Sequence, residues 1–211
     1  MEIDPVNLKR AEAYNLMCSV VVPRPIAWVS TVSAEGRPNL APFSFFNAVT
    51  SDPPTLMLSV GRRRGGRKDT SANLLSVKEG VVHIPSRANA EQMVATSADF
   101  ESGIDEFSAC GLTSIPANLV KPQRIKGALL AMEVKVSGHH EVGNAPMDVF
   151  YLEVLRFHVA EEIMTEGRVD ANKLDACGRL GGSEYCVTTE LFNIARRSPE
   201  DVLVDETLKG E

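Results

Sequence analysis

The first half of the chain alternates short apolar runs with turn residues. β-Branched and aromatic residues dominate 26–32, 44–50 and 55–60, a composition typical of β-strands. Between them, 35–38 (EGRP) supplies a turn before 39–42 (NLAP), and this pattern indicates a hairpin. The first sixty residues therefore predict several short strands joined by tight connections.

A helix is predicted in the middle of the chain. Residues 71–77 (SANLLSV) favour a helix, and either Asp69 or Thr70 is expected to cap its N-terminus. Gly80 is the expected terminator. The apolar run 81–84 (VVHI) then predicts a return to strand.

Later segments complete the fold prediction. Residues 88–99 suit a helix with Met93 and Val94 on its inner face, whereas 129–136 and 149–159 alternate apolar with polar side chains, as half-buried antiparallel strands do. Many strands with only short helices between them predict a mainly β fold with flanking helices, an antiparallel barrel. A doubly wound parallel sheet fits poorly. We expect one domain over 1–211.

Composition and charge exclude several classes of function. The net charge of −6 makes nucleic-acid binding by the whole chain improbable. The longest stretches without a charged side chain, 38–51 and 107–120, have 14 residues each and are too short for a transmembrane helix, so no membrane partner is expected. The N-terminus lacks the basic and apolar regions of a secretory signal, and we expect a cytoplasmic protein.

The cysteine and histidine residues show no metal-binding pattern. There is no C-x-x-C pair and no cysteine at a zinc-finger distance from a histidine. We expect no metal site, and we interpret the cysteines as small buried apolar groups. The residues concerned are Cys18, Cys110, Cys177, Cys186, His83, His139, His140 and His158.

A basic segment interrupts the otherwise acidic chain between the predicted strand 55–60 and the first predicted helix. Gly61 and Gly66 have the separation of a nucleotide triphosphate loop, but Arg67 and Lys68 occupy the places of its lysine and its Ser/Thr, so the hydroxyl that would hold magnesium is missing. The Rossmann glycine fingerprint is also absent. The remaining possibility is a site for a single phosphate.

Two residues of this region are candidates for phosphate binding. Lys68 and Thr70 lie at the predicted helix start, where free N–H groups and the helix dipole favour an anion. The triple arginine at 62–64 is interpreted as a solvated loop. A bulkier anion or a phosphorylated nicotinamide stays an alternative for these three side chains.

Several motifs, taken in order, resemble the flavin reductase-like, FMN-binding split-barrel family. The resemblance covers roughly residues 14–195. Its motifs are PRPIAWVSTV at 23–32, GRPNLAPFSFFN at 36–47, DPP at 52–54, KDT at 68–70 and RLGGSEY at 179–185. Each motif alone is weak, whereas their order and spacing are fairly specific. The resemblance implies a homodimeric antiparallel FMN-binding split β-barrel with each FMN near the subunit interface.

The resemblance also implies a set of cofactor-binding residues. The first barrel strand would contribute the residues beside the flavin, the following segment hydrogen bonds to its ring and ribityl chain, and the helix start the phosphate contacts. In that order they are Trp28, Ser30 and Thr31, then Ser44, Phe45 and Asn47, then Lys68 and Thr70. Arg179 and Tyr185 would lie near the cofactor or the partner subunit, outside this set. Only one of Phe45 and Phe46 can face the same pocket as Ser44 or Asn47, since their side chains alternate.

Three functions are compatible with the sequence. The first is an oxidoreductase that moves electrons from NAD(P)H through FMN to an acceptor, with no catalytic side chain required because the flavin carries the chemistry. The second is a flavoredoxin-like, non-catalytic electron-transfer protein served by a protein electron donor. RNA binding through the arginine-rich loop is a weaker third. The nicotinamide-binding histidine of short flavin reductases has no clear counterpart, and His158 is a candidate only by default.

Overall fold

The computed structural model describes residues 1–63, 66–188 and 190–204. Arg64, the last residue of the triple arginine, lies outside this part of the chain. The main sheet has seven strands, which are β1 (Ala27–Val32), β2 (Pro38–Phe43), β3 (Phe46–Ser51), β4 (Pro54–Val60), β5 (Glu79–His83), β6 (Leu130–Val142) and β7 (Met147–Val159).

Short helices and strands surround this sheet. The α-helices are α1 (Arg10–Val20), α2 (Asp69–Ser76), α3 (Ala90–Ala95), α4 (Glu106–Ala109), α5 (Ala171–Leu174) and α6 (Pro199–Val204). The 3₁₀ turns are Pro5–Asn7, Arg87–Asn89 and Glu161–Ile163. The short strands are Arg24–Pro25, Arg62–Arg63, Gly66–Arg67, Ser114–Ile115, Arg124–Ile125, Met164–Thr165, Arg168–Val169, Cys177–Arg179 and Tyr185–Val187.

The main sheet is antiparallel and strongly curved. Its strand order is β2-β1-β5-β6-β7-β4-β3, and every neighbouring pair is antiparallel. Register shifts in the long β6–β7 hairpin increase the local twist. The edge strands β2 and β3 are joined only by Ser44 and Phe45, so the sheet curls until its edges meet at one end. The predicted mainly β, antiparallel barrel architecture is confirmed.

The two faces of β1 enter two different apolar clusters. Ala27 and Val29 pack inside the barrel with residues of all the central strands. Ile26 and Trp28 point outwards into a cluster covered by α3 and α4. Because successive strand residues point to opposite faces, both faces of β1 are buried and the strand cannot be exposed to solvent.

Helix α2 closes one end of the barrel, and its boundaries differ from the predicted ones. Its N-cap is Lys68 rather than Asp69 or Thr70, and no side chain caps it. The helix ends at Ser76, and the chain reverses at Lys78, whose φ is 66°. The predicted terminator Gly80 was wrong, since this residue lies inside β5.

The second predicted helix is shorter than expected. A 3₁₀ turn precedes α3, and the α-helix covers only Ala90–Ala95. Met93 is fully buried as predicted, but Val94 is 40% exposed, so its predicted inward orientation was wrong. Consecutive helix residues are about 100° apart, and so short a helix buries only one of the two.

Candidate functional site

A wide cleft opens where α1, the Ser44–Phe45 link and the strand Cys177–Arg179 meet. Its volume is about 370 Å³, within the range of small-molecule sites. Polar, aromatic and apolar side chains share its lining, among them Tyr14, Arg24, Ser44, Met93, Ser97, Arg179 and Tyr185. We call it the wide cleft.

Arg24 holds three segments around the wide cleft. Its guanidinium is buried and donates to the carbonyls of Cys18, Val21 (2.9 Å) and Leu180 (2.8 Å). Its Nε also donates to Oγ of Ser44 at 3.3 Å. These bonds fix the end of α1, the loop after Cys177–Arg179 and the start of the Ser44–Phe45 link, so the cleft has a rigid floor.

One wall of the wide cleft carries Arg179 and two tyrosines. The Arg179 guanidinium lies 4.4 Å from the centre of the Tyr185 ring and donates to the Tyr185 hydroxyl and to the carbonyl of Gly182. Burial, with a hydrogen bond to Cys18, raises the pKa of Tyr14, which keeps its hydroxyl protonated. This wall therefore presents aromatic surfaces beside a fixed positive charge.

A small cavity adjoins the wide cleft, because Pro42 and Ser97 line both. It holds about 40 Å³. Lys68 and Thr70, both predicted to bind phosphate, line it together with Glu106. The structure therefore brings these two residues into one concave site at the start of α2.

Thr70 belongs to a polar network at the start of α2. Nδ2 of Asn39 donates to Oγ1 of Thr70 at 3.0 Å and to Oγ1 of Thr31 at 3.1 Å. Nδ2 of Asn73 also donates to Thr31, at 3.0 Å. This network ties α2 to β1 and β2 and fixes the position of the small cavity relative to the barrel.

Lys68 forms no ion pair with any residue that the structure describes. Its Nζ lies 5.7 Å from the centre of the Phe43 ring. Burial and the nearby positive charge of Arg63 lower its pKa, which Asp99 partly opposes. Because no side chain caps α2, the first N–H groups of the helix also have no capping acceptor. A cation and helix N–H groups thus meet at the small cavity.

The loop that carries Lys68 is held by a fully buried acid, Asp148 of β7. Asp148 accepts hydrogen bonds from Ser71 Oγ (2.7 Å), Arg67 Nε (3.2 Å), His139 Nε2 (3.0 Å) and Arg62 Nη2 (3.4 Å). Burial alone would raise the pKa of Asp148, but these donors outweigh it and the pKa is lowered. The carboxylate is therefore ionised and saturated.

The contacts of Asp148 revise the interpretation of the basic loop. Arg62 and Arg67 are cross-strand partners, and both also pair with Glu141. The interpretation of Arg62 as a solvated side chain was wrong, because its guanidinium neutralises buried and half-buried acids. Arg63 points the other way, donates to the carbonyl of Phe100 at 3.2 Å and lines the small cavity.

Three of the predicted cofactor residues lie behind the cleft rather than in it. Trp28, Ser30 and Thr31 are at most 1% exposed and line neither cavity. Nε1 of Trp28 donates to Oγ1 of Thr96 at 2.9 Å, and Thr96 lines the small cavity. Their burial follows from the central position of β1, which has neighbours on both edges and covered faces.

The other three predicted residues lie around an apolar groove next to the wide cleft. Ser44 lines both, whereas Phe45 and Asn47 line only the groove. The groove holds about 540 Å³, and its mostly apolar lining comes from segments 21–25 and 44–47, from β4 and β7, and from Met17 of α1. Met17 is 56% exposed. We call this surface the apolar groove.

The default nicotinamide candidate, His158, is engaged elsewhere. Its Nε2 lies 2.6 Å from Oε1 of Glu133, a fully buried acid that also accepts the N–H groups of Asn118 and Leu119. Burial opposes ionisation of Glu133, but these donors lower its pKa. His158 lines neither the wide cleft nor the small cavity. Its contact with Glu133 indicates a structural role.

Two general features complete the site. All four cysteines are free; Cys18 and Cys177 are buried, and Cys110 and Cys186 are partly exposed. Among the described residues, no group of three or more His, Cys, Asp or Glu side chains is placed to hold a metal ion. No helix in the described part of the chain is long and apolar enough to cross a membrane.

Three residues of the site were missed by the sequence analysis. Arg24 and Asn39 lie inside the resembling motifs but were not selected, since a motif does not show which side chains point into a cleft. No sequence pattern pointed to Glu106. It lies on α4, far from Lys68 in sequence, and only the fold brings it to the small cavity.

Comparison with known protein sequences identifies a family model and relatives that match most of this chain. Residues 18–173 match the family model described as flavin reductase like domain. A protein of Aquifex aeolicus is 42% identical over 174 residues, which are 82% of this chain and 88% of the relative. YwrF of Bacillus subtilis is 34% identical over 198 residues, which are 91% of this chain and 97% of the relative.

Solved structures give the same assignment. Component B of nitrilotriacetate monooxygenase from Bacillus cereus is 33% identical with a TM-score of 0.89, over 92% of this chain and 98% of that one. The 2-nitrobenzoate 2-nitroreductase NbaA of Pseudomonas fluorescens is 30% identical with a TM-score of 0.86, over 94% and 98%. Flavoredoxin of Desulfovibrio vulgaris, at 21% identity and a TM-score of 0.72, shares the fold.

The fold and the site thus define a split barrel of the flavin-dependent class. The chain belongs to the flavin reductase-like family, as its motifs predicted. Its function is accordingly a flavin-related oxidoreduction.

Proposed function

We propose that the protein binds FMN across the wide cleft and the small cavity and uses it to pass electrons from NAD(P)H to an acceptor. The observation that carries the proposal is the pairing of a cleft of about 370 Å³ with a small cavity at the start of α2, where Lys68 has no ion-pair partner among the described residues. A long ligand with one anionic end fits this shape.

The donors of the small cavity fit a phosphate monoester. The Lys68 ammonium, the Thr70 hydroxyl and the uncapped N–H groups of α2 converge there, and a helix N-terminus with a cation is a general anion site. We assign the phosphate of FMN to these groups. Lys68 occupies the position at which a nucleotide triphosphate loop has its magnesium-binding Ser or Thr, which favours a monophosphate here.

The wide cleft fits a planar aromatic ring system with polar edges. Ser44 offers a hydroxyl at its floor, and Arg179 and Tyr185 form a flat cationic wall. When bound, the flavin supplies the redox chemistry, and the protein supplies orientation and charge. In this proposal Arg24 positions Ser44, while Trp28 and Thr31 act through Thr96 and Asn39 rather than by contact.

Phe45 and Asn47 enter the proposal through a second copy of the chain. They line the apolar groove, which a homodimer would cover. Apolar residues at and just after the end of α1 extend this surface, with Val20 63% and Val21 52% exposed, and contiguous exposed apolar surface marks interfaces. Light scattering after gel filtration tests the assembly: a monomeric mass at micromolar concentration would contradict it.

Two measurements test the cofactor and the reaction. Added FMN should bind with quenching of its fluorescence, whereas a preparation that binds no FMN would overturn the proposal. In anaerobic stopped-flow mixing of the FMN complex, NADH or NADPH should bleach the flavin absorption. The monooxygenase component and the nitroreductase named above, both at least 30% identical, support redox turnover. Bleaching by neither nucleotide would instead favour the flavoredoxin-like carrier.

A further inference from the structure

Glu106 is a buried acid in the small cavity that no cation neutralises. It is the first residue of α4 and only 6% exposed. Its Oε2 accepts the N–H of Leu40 at 2.9 Å. No Lys, Arg or His of the described chain forms an ion pair with it. Every other fully buried acid among the described residues has a charged or imidazole partner, so Glu106 stands apart.

The charges around Glu106 make its ionised form unfavourable. Burial raises its pKa, and the neighbouring carboxylates Asp69 and Asp105 act in the same direction, against the N–H of Leu40. Across the small cavity lie the cations Lys68 and Arg63, and Asp99 is the remaining acid of the lining. The cavity is therefore a mixed site, lined by three acids (Asp69, Asp99 and Glu106) and two cations (Lys68 and Arg63).

A phosphate bound by Lys68 in this cavity would have Glu106 as a neighbour. A phosphate monoester loses its second proton at a pH of about 6, so free FMN is mostly a dianion at pH 7 and above. A dianion against a buried carboxylate is repelled, whereas one proton between them converts the repulsion into an O–H···O hydrogen bond. Lys68 and Glu106 line the same cavity of about 40 Å³, so a phosphate held by Lys68 lies in the same small space as the Glu106 carboxyl group.

We propose that Glu106 and the phosphate of FMN share one proton, so that FMN binds to this protein together with one proton taken from solution. The inference rests on the proposed function, because it places the FMN phosphate beside Lys68. The balance is one FMN dianion, one proton and one ionised Glu106 giving a complex with a single shared hydrogen. Glu106 is then a binding residue that links flavin affinity to pH.

The first test measures FMN affinity against pH. Between pH 7 and 8.5 the Kd for FMN should rise about tenfold per pH unit, as uptake of one proton requires. Riboflavin, which lacks the phosphate, should bind with a Kd that does not change over this range. Calorimetry of FMN binding in two buffers of different ionisation enthalpy should show uptake of about one proton, a measurement that needs no variant.

The second test replaces the acid with its amide. In Glu106→Gln the side-chain oxygen still accepts the N–H of Leu40, and the new N–H₂ donates to a phosphate dianion without an added proton. The Kd for FMN should become nearly independent of pH. Lys68 is retained, so any slope that persists reports the loss of its proton. Glu101→Gln, an exposed position outside the lining, is the matched control and should keep the wild-type slope.

The outcomes separate this inference from the proposed function. Tight binding of FMN with a pH-independent Kd and no proton uptake would overturn the role of Glu106 and leave the FMN site intact. An equal slope in wild type and Glu106→Gln would overturn it as well. Failure of both FMN and riboflavin to bind would overturn the proposed function together with this inference. A slope and a proton uptake that are lost only in Glu106→Gln would establish it.

Discussion

Two buried acids near α2 have opposite surroundings. Asp148 is surrounded by Arg62, Arg67, His139 and Ser71, and its pKa is lowered. Glu106 has only backbone N–H partners, and its pKa is raised. Both lie close to the segment that carries Lys68. The two acids therefore differ in the number of their hydrogen-bond and charged partners rather than in how deeply they are buried.

This contrast separates residues that stabilise the fold from residues that are available to bind a ligand. A buried polar group that serves structure has its hydrogen-bonding capacity filled by the protein itself. Around the small cavity, Lys68 and Glu106 instead form no ion pair with any described side chain. Four measurements test this distinction, and the first has the greatest predicted effect.

The largest effect is expected for Asp148→Asn. It leaves Arg62 and Arg67 without the buried charge that neutralises them, and removal of one partner of a buried ion pair costs about 3–5 kcal/mol. Urea denaturation measures the free energy of unfolding. Glu141→Gln is the control, since Glu141 pairs with the same arginines but is 45% exposed, and it should cost less than about 1 kcal/mol. Equal losses in the two variants would remove the distinction.

Acid should destabilise the fold through His83, which is fully buried. Its Nδ1 donates to the carbonyl of Trp28 and its Nε2 accepts the N–H of Ile125, both at 3.0 Å, which requires the neutral ring. Burial lowers its pKa to about 4.

The sign of this pH dependence follows from the lowered pKa. Below pH of about 6.5 the unfolded chain gains a proton that folded His83 does not, so stability falls with the pH until about pH 4, by roughly 3 kcal/mol in total. His83→Gln should be less stable at pH 7 but should lose less on acidification between pH 6.5 and 4.5. Parallel stability curves for the two proteins would contradict the assignment.

Lys68→Ala should weaken FMN binding by about 1–3 kcal/mol, since it removes a charge-assisted hydrogen bond. The free energy of unfolding without ligand should hardly change, because Lys68 neutralises no described acid. Titration of FMN fluorescence measures the first and urea denaturation the second. Lys121→Ala removes an exposed lysine far from the cavity as a control. Unchanged affinity in Lys68→Ala would show that the phosphate binds elsewhere.

The smallest effect is expected for the stability of Glu106→Gln. The ionised acid is disfavoured by burial, so its neutral isostere should stabilise the ligand-free protein slightly, by less than about 1 kcal/mol. A raised carboxyl pKa costs stability as the pH rises, and the gain should therefore be larger at pH 8 than at pH 4. A loss of several kcal/mol would show that Glu106 belongs with Asp148 to the structural group.

Much of the fold was visible in the sequence because it depends on local patterns. Alternation along 149–159 and β-branched composition along 26–32 identified strands β7 and β1, and the hairpin at 35–38 joined the right pair. The short segment after Gly61 identified Lys68 and Thr70, which line one cavity. Single-domain organisation over 1–211 and a cytoplasmic location stay predictions.

Side-chain environments were less visible, since they depend on distant residues. Arg62 was predicted to be solvated because its partners, Glu141 and Asp148, are about eighty residues away. Trp28 was expected beside the cofactor because a motif marks a strand and not the direction in which each side chain points.

The amino-acid pattern alone was therefore enough to predict the antiparallel strands, the family and the segment where an anion site begins. Which charges are neutralised and which face a cleft depends on the folded chain, because hydrogen bonds to Asp148 and the isolation of Glu106 arise from elements that meet after the sheet curls. Periodicity acts over a few residues, whereas burial and charge compensation are properties of the closed barrel.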